Sequence, residues 1–310
     1  MKSSQFRARR TLDLWQIRKK TRSPQLHLRV PLNIQLATSH SPLGCEYEVN
    51  PNVSLRPPRA AAEKKWWRPG SRLVWIKHPL SGITYPLELD PQNFKTVKRL
   101  QSDLLQPHQL PAKTLQAFLD AGLLKAHDSS SNRVMARKEL LQNGYTILRN
   151  ITPAPLADAL RVYYDERIAR GDYPFGDRRV SRRYVDFNDP VTEYLLDQFR
   201  SVIEEVCGVK LKSVYHYFIG YREGAALKKH TDQSNCEVVA SIQISYRKNG
   251  KLSSSQDWPL YLYPNSNRPV QLRLQPGDAA VFFGTQIPHG RPELPKGCSS
   301  DSVLINYVKK

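Results

Sequence analysis

The pattern of apolar and polar residues changes twice along the chain. Residues 1–62 are rich in charge, Pro and Ser without a sustained period, which is typical of a partly disordered segment. Only the alternating stretch 26–36 favours a strand or two there. The stretch 72–89 then contains two alternating apolar runs around Leu80-Ser81-Gly82, and this pattern predicts a β-hairpin.

Helical spacing follows the hairpin. Asp90 is suited to cap a helix and Pro91 to occupy its first turn, and a second helix is predicted to end near Gly122. A hairpin followed by short helices predicts a small winged-helix-like unit over residues 63–126. The polar residues 127–133 then predict a linker.

The remaining part, residues 134–310, begins with helical patterns and ends almost entirely in strands. Its helices are predicted near 134–143, after Thr152-Pro153 and over 189–208, and the overall fold class is α+β. A polar and aromatic loop at 172–190 lies between two of these helices. It carries four arginines, which either grip an acidic substrate segment or are simply solvated: Arg178, Arg179, Arg182 and Arg183.

The composition of the 310-residue chain limits the classes of binding partner and the cellular location that we expect. Its net charge of +19 favours an anionic partner, such as a nucleic acid, an acidic peptide or a membrane surface. Much of the basic excess lies in residues 1–22, which can equally be a solvated arm without a partner. No apolar run is long enough to span a bilayer, and no secretory signal is visible. The four cysteines are widely spaced, which fits a reducing cytoplasm.

Three residues of the strand-rich part are candidate metal ligands. His230 and Asp232 are two positions apart, and residues two apart on a strand point to the same face. His289 follows the turn Pro276-Gly277-Asp278 and an apolar strand. Two imidazoles and one carboxylate can bind one face of Fe(II) and leave its other positions open. No thiolate is near, which argues against zinc.

Helices followed by strands carrying these three residues resemble the Fe(II)/2-oxoglutarate-dependent oxygenases, especially the prolyl-hydroxylase-like members. The resemblance covers residues 134–310 and implies a double-stranded β-helix, or jelly roll. It implies that His230, Asp232 and His289 are the catalytic metal ligands, and that Tyr221 binds the co-substrate. It also implies Fe(II), 2-oxoglutarate and O₂ as cofactor and co-substrates.

One departure from that family concerns the anchor of 2-oxoglutarate. The family carries a basic residue on its last strand, where this chain has Ser299–Asp301. The nearest candidates are Arg291 and Lys296. Arg291 is the better candidate of the two, because a guanidinium can bind a carboxylate through two parallel N–H donors. Its alternative role is a salt bridge to Glu293 or Asp278. Further polar residues either line the pocket or pack in the core: Tyr215 or Tyr217, Gln243 and Tyr263.

The N-terminal unit resembles, more weakly, the RiPP recognition element, which captures the leader of a ribosomally made precursor peptide by strand addition. The resemblance lies in the hairpin 75–89 and the segment 118–124, FLDAGLL. A packing or DNA-binding winged helix is the alternative.

Together the two resemblances imply a cytoplasmic oxygenase that hydroxylates a C–H bond of a peptide substrate, a residue of a ribosomally made precursor peptide held by the N-terminal unit. The net charge favours an acidic peptide or protein substrate. Two alternatives stay open: a nucleic-acid-modifying oxygenase, and a jelly roll that binds without catalysis. The oligomeric state is left open by the sequence.

Overall fold

The structure is a computed structural model that describes residues 27–28, 47–56, 72–79, 81–102, 105, 107–126, 131–187, 189–253, 257–265 and 268–310. Most of the predicted basic arm therefore lies outside the described residues. So do Leu80 of the predicted turn, Cys45, and residues 127–130 of the predicted linker. No helix in the described ranges is long and apolar enough to cross a membrane.

Five α-helices and one short 3-10 helix are present in the described part of the chain. The helices are α1 (Pro91–Gln101), α2 (Ala112–Asp120), α3 (Ser131–Asn143), α4 (Ala154–Ala169) and α5 (Pro190–Cys207), with the 3-10 turn at Pro107–Gln109. The strands are β1 (His27–Leu28), β2 (Tyr47–Val49), β3 (Val53–Ser54), β4 (Leu73–Lys77), β5 (Thr84–Leu89), β6 (Leu124–Ala126), β7 (Tyr145–Leu148), β8 (Arg183–Phe187), β9 (Leu211–Arg222), β10 (Leu227–His230), β11 (Val238–Lys248), β12 (Lys251–Leu252), β13 (Leu260–Asn265), β14 (Arg268–Leu272), β15 (Ala279–Phe282), β16 (His289–Arg291) and β17 (Cys298–Lys309).

The N-terminal part forms a small sheet with the strand order β1-β5-β4-β3. β4 and β5 pair antiparallel, with Leu73 opposite Glu88, which confirms the predicted hairpin. The side chain of Asp90 accepts hydrogen bonds from the backbone N–H groups of Gln92 and Asn93, so it caps α1 as predicted. A parallel strand, β1, occupies the outer edge of β5. The similarity of the N-terminal unit, residues 63–126, to a winged helix stays a prediction.

The C-terminal part consists of two antiparallel sheets. The larger has the order β7-β15-β11-β17-β9-β8, with β12 paired to β11, and the smaller has the order β10-β16-β13-β14. Val239 and Phe282 of the larger sheet and Leu262 of the smaller one belong to one buried apolar cluster. The two sheets therefore face each other across a common core, which is the double-stranded β-helix arrangement expected from the sequence.

Alternation along β17 divides the surroundings of the larger sheet. Val303 and Ile305 belong to the apolar core that the helices share, whereas Ser302 and Leu304 face the space between the two sheets. On the helical side, the hydroxyl of Tyr307 donates to the carbonyl of Leu196 in α5 at 2.7 Å. The helices thus cover one face of the sheet and leave the other for a cavity.

α5 also packs against the N-terminal sheet. The backbone N–H of Thr84 donates to Oε1 of Gln198 at 3.0 Å, and the hydroxyl of Tyr194 donates to the carbonyl of Thr84. A single buried apolar cluster runs from Ile76 in β4 to Val303 in β17. α5 is thus in contact with both sheets.

Two predictions of loop structure are wrong in detail. The stretch 172–190 contains β8, which pairs with β9 so that Arg183 lies opposite Tyr221 and Phe187 opposite Tyr217. The sequence did not predict this strand because the stretch is largely polar. An edge strand with only one buried face, such as β8, can carry polar residues on its other face. In addition, α3 begins at Ser131, so the last residues of the predicted linker are helical.

Candidate metal centre and its cavity

The three predicted ligands meet between β10 and β16. His230 is the last residue of β10 and lies directly opposite His289, the first residue of β16. Asp232 follows β10, and its backbone N–H donates to the carbonyl of Gly284 at 2.9 Å. The prediction that a strand aligns His230 with Asp232 is therefore wrong, since the loop contact with Gly284 places the carboxylate instead.

The ligand atoms of the three residues lie within 4.8 Å of one another. Oδ1 of Asp232 is 3.7 Å from Nε2 of His230, and Oδ2 is 3.6 Å from Nε2 of His289. Metal–ligand bonds to these atoms are about 2.1 Å long. One ion between the three side chains therefore reaches all of them after small side-chain adjustments.

Hydrogen bonds orient both imidazoles for this purpose. Nδ1 of His230 lies 2.9 Å from the carbonyl of Lys228, and Nδ1 of His289 lies 3.0 Å from the carbonyl of Ile287. Because a carbonyl only accepts, each Nδ1 must carry the hydrogen, which leaves the lone pair on Nε2. Burial lowers the pKa of His289 to about 4, so this ring is neutral at physiological pH. These features fit a bound metal.

Gly284 leaves room for the carboxylate. A Cβ atom at this position would lie 2.5 Å from Oδ2 of Asp232 and 2.8 Å from the carbonyl oxygen of Cys236. Burial raises the pKa of the Asp232 carboxyl, and the neighbouring His230 and Arg179 oppose that rise. A bound cation would favour the ionised carboxylate further.

The three ligands lie in the wall of a cavity of about 680 Å³ between the two sheets. Its lining combines aromatic rings, aliphatic side chains and a few polar groups, which is the composition of small-molecule and substrate sites. Besides the three ligands, the lining includes Arg179, Phe187, Tyr215, Tyr217, Tyr221 and Arg291.

Arg291 supplies a buried positive charge to this cavity. Its Nη1 donates to the carbonyl of Trp258 at 2.9 Å, and its guanidinium lies 4.6 Å from the centre of the Trp258 ring. Burial lowers its pKa to about 10, so it stays charged at neutral pH. No carboxylate among the described residues pairs with it: Glu293 is exposed, and Asp278 pairs with Arg149 at 2.6 Å. An uncompensated buried cation favours an anionic ligand.

The other two residues predicted to bind the co-substrate differ in position. Tyr221 is buried in the cavity wall, edge-on to Trp258 with 5.0 Å between ring centres. Lys296 is exposed and does not line the cavity. At the expected anchor position, Asp301 is buried and pairs with Arg222 at 2.9 Å and Arg247 at 3.1 Å. The last strand therefore offers no cation to the cavity.

Of the further polar candidates, Tyr215 and Tyr217 line the cavity. Gln243 is instead buried and donates to the carbonyls of Ser245 and Asp301, and Tyr263 lies outside the lining, under the ammonium group of Lys229. Sequence reasoning missed the serines that line the cavity from the inward positions of β11 and β17, Ser241 and Ser302. Strict alternation along those two strands is the signal that would have found them.

No protein-family model matches the chain, and no curated protein is significantly similar to it. Among solved structures, a Pseudomonas putida prolyl-4-hydroxylase is 20% identical and matches 57% of this chain and 99% of its own, with a TM-score of 0.47. A prolyl hydroxylase from Trichoplax adhaerens, in complex with a hypoxia-inducible-factor peptide, is 15% identical over 56% of this chain and 88% of its own, with a TM-score of 0.46.

HygX from Streptomyces hygroscopicus, solved with nickel, 2-oxoglutarate and hygromycin B, is 11% identical. It matches 58% of this chain and 88% of its own, with a TM-score of 0.45.

Proposed function

We propose that this protein is an Fe(II)- and 2-oxoglutarate-dependent oxygenase that hydroxylates a C–H bond of a peptide substrate. The observation that carries the proposal is the pairing of two features in one cavity. His230, Asp232 and His289 present three ligand atoms within 4.8 Å of one another, and the buried cation of Arg291 lies two residues beyond His289. The triad can therefore bind a metal, and Arg291 can bind a carboxylate of a dicarboxylate in the same cavity.

In this proposal, His230, Asp232 and His289 bind the metal, and Arg291 and Tyr221 bind the co-substrate. His230, Asp232 and His289 would hold the iron through their three ligand atoms. Iron held there would supply the chemistry that couples the oxidation of 2-oxoglutarate to that of the substrate, with the balance that R–H, O₂ and 2-oxoglutarate give R–OH, succinate and CO₂. Arg291 binds the distal carboxylate of the co-substrate, and the hydroxyl of Tyr221 lies in the same wall as a further donor. The aromatic and aliphatic lining limits the access of water.

The substrate is proposed to be a segment of a ribosomally made precursor peptide, captured by the N-terminal sheet through strand addition. The contacts of Thr84 with Tyr194 and Gln198 support this assignment, because they fix the sheet on the helix that backs the catalytic sheet. A captured leader would then keep the reactive residue at high effective concentration near the metal. A cytoplasmic location belongs to the same proposal.

The first experiment measures anaerobic binding of Fe(II) and 2-oxoglutarate, followed by O₂-dependent release of succinate. His230→Ala removes one ligand, so we expect it to abolish metal-dependent succinate release. Lys229→Ala, an exposed neighbour on β10, is the matched control and should retain it. Metal binding without any release of succinate in the wild type would instead support a jelly roll that binds without catalysis.

Substrate class is tested next, by offering peptides and single-stranded oligonucleotides to the active protein. Incorporation of one oxygen atom into peptides supports the proposal. Oxidation of oligonucleotides alone, with binding that weakens steeply as salt increases, would support the alternative of a nucleic-acid-modifying oxygenase.

A further inference from the structure

The segment from Phe175 to Tyr184, here called the arginine loop, has a defined conformation. Oδ1 of Asp177 accepts hydrogen bonds from the backbone N–H groups of Arg179 at 2.8 Å and Val180 at 2.9 Å. Oδ2 of Asp177 pairs with Arg183 at 2.7 Å, and the N–H of Gly176 donates to the carbonyl of Arg183 at 2.7 Å. One carboxylate therefore closes the loop and presents its side chains from a fixed backbone.

The four arginines of this loop have different roles. Arg183 is buried and paired with Asp177, and Arg182 contacts the carbonyl and the carboxylate of Glu223. Arg178 and Arg179 are exposed, and neither forms an ion pair with a carboxylate of the described residues, although the charge of Arg179 acts to lower the pKa of the Asp232 carboxyl. Only Arg179 of these two lines the cavity that contains the metal ligands. The loop thus directs one unpaired guanidinium towards the site.

A row of aromatic rings lines the cavity near this charge. Phe187 is 54% exposed and stacks on Tyr217 with 5.0 Å between ring centres. Tyr217 in turn stacks on Tyr215 at 5.7 Å, and the hydroxyl of Tyr215 contacts Sγ of Cys236 at 3.0 Å. An exposed ring and an unpaired cation in the lining of one cavity form a surface for a ligand that is apolar in one part and anionic in another.

From this arrangement we infer that Arg179 and Phe187 determine substrate specificity, by binding an acidic side chain and the apolar residue beside it in the peptide substrate. Arg179 pairs with the carboxylate, and Phe187 packs on the apolar neighbour, which brings a C–H bond of that residue towards the metal. The assignment rests on the proposed oxygenase function. It narrows the substrate to a peptide with an acidic residue next to the oxidised one.

The distribution of charge favours a peptide over a nucleic acid. A nucleic acid carries one phosphate per nucleotide, so its binding groove needs a row of unpaired cations. Within the arginine loop, however, Asp177 and Glu223 engage two of the four arginines, and of the other two only Arg179 lines the cavity. The other unpaired guanidinium of the cavity, Arg291, is assigned to 2-oxoglutarate, so the loop offers the substrate one cation for one carboxylate.

The test uses three pools of synthetic peptides of equal length, identical except that the residues flanking a central apolar residue are Glu, Gln or Lys. Peptide-dependent succinate release gives kcat and KM for the full chain. Anisotropy of a labelled peptide from each pool gives Kd under anaerobic conditions without iron. We expect the wild type to prefer the Glu pool. Arg179→Gln should raise KM and Kd for that pool roughly fivefold or more, and Arg178→Gln should leave both nearly unchanged.

A charge exchange sharpens the comparison. Arg179→Glu should shift the preference from the Glu pool to the Lys pool, whereas Arg178→Glu should not. Equal effects at the two positions would overturn the inference, because they would reflect the net charge of the surface alone. A wild type that binds no pool preferentially, or that binds oligonucleotides instead, would overturn it as well.

Failure of the underlying oxygenase function would be visible separately. In that case no succinate would form with any variant, while the anisotropy measurement would still report whether Arg179 selects acidic peptides.

Discussion

Arg291 combines burial with a positive charge, and no carboxylate of the described residues compensates it. Binding of 2-oxoglutarate should therefore depend strongly on this guanidinium. We expect Arg291→Gln to weaken the binding of 2-oxoglutarate by roughly 10- to 100-fold, since charge-assisted hydrogen bonds contribute about 1.5–3 kcal/mol. Anaerobic titration calorimetry with Mn(II) in place of Fe(II) measures this change.

Lys296→Gln is the matched control for that substitution, because Lys296 is exposed outside the cavity. Its affinity for 2-oxoglutarate should stay that of the wild type. If Lys296→Gln weakened binding and Arg291→Gln did not, the anchor would have been assigned to the wrong residue.

Asp186 is a second residue whose environment conflicts with its charge. Burial, the nearby Asp189 and Asp172 raise its pKa to about 7, although Arg167 acts in the opposite direction. Between pH 4 and 7 the unfolded chain loses this proton while the folded protein keeps it, so this carboxyl makes the protein less stable as the pH rises. Above pH 7 both states are ionised and the loss is constant.

Asp186→Asn removes that titration. We expect the free energy of unfolding of Asp186→Asn, relative to wild type, to increase by about 2–4 kcal/mol from pH 4 to pH 8. Urea denaturation at both pH values measures it. Asp158→Asn, on the exposed face of α4, is the control for replacing a carboxylate by an amide at the surface. A relative stability of Asp186→Asn that did not change with pH would contradict the expectation.

At the scale of elements, the metal centre depends on the close approach of the turn after β15 to the loop after β10. Gly284 permits this approach, since its Cβ would lie 2.5 Å from a carboxylate oxygen of Asp232 and 2.6 Å from a methyl group of Val239. We expect Gly284→Ala to displace the carboxylate and to weaken metal binding by roughly tenfold or more, as losing the orientation of a ligand does. Anaerobic titration with Fe(II) measures the affinity.

Gly250→Ala provides the contrast. Gly250 has a φ of +75°, and a Cβ there would meet no atom within 4 Å. This substitution should cost about 1 kcal/mol of stability through backbone strain and leave metal affinity unchanged. Equal metal affinities for the two variants would argue against a steric role of Gly284.

At the scale of the whole molecule, the N-terminal sheet and the larger C-terminal sheet share α5 and one continuous apolar core. Phe118 lies in the N-terminal part of that core and is fully buried. Phe118→Ala should cost about 3–5 kcal/mol, and this loss should reach the larger C-terminal sheet if both parts unfold together. Hydrogen exchange followed by mass spectrometry should then show reduced protection in both β4 and β17.

Val134→Ala, at an exposed position of α3, is the control and should change protection in neither strand. Loss of protection in β4 alone after Phe118→Ala would show instead that the N-terminal part unfolds independently. That result would match the division into separate units at 63–126 and 134–310 that the sequence predicts.

The sequence by itself determined the features that depend on local spacing. Hydrophobic alternation located the hairpin of β4 and β5 and the long strands of the C-terminal part, and Asp90 and Pro91 marked the start of α1. His230, Asp232 and His289 could be proposed as metal ligands because their residue types and order are visible without coordinates, and the structure brings their ligand atoms within 4.8 Å of one another. Composition indicated an anionic partner, but not where on the surface it binds.

Tertiary structure decided what depends on contacts between distant segments. Asp232 reaches its position through a hydrogen bond to Gly284 after the end of β10, not through strand alternation. Arg291 has no carboxylate partner among the described residues, and Asp278, a partner that the sequence suggested, pairs with Arg149. The charge of Arg183 is compensated by Asp177 and is therefore not available to a ligand. Arg179 of the same loop forms no ion pair among the described residues and lines the cavity. The available charge of a side chain depends on partners brought by the fold, and sequence spacing does not specify them.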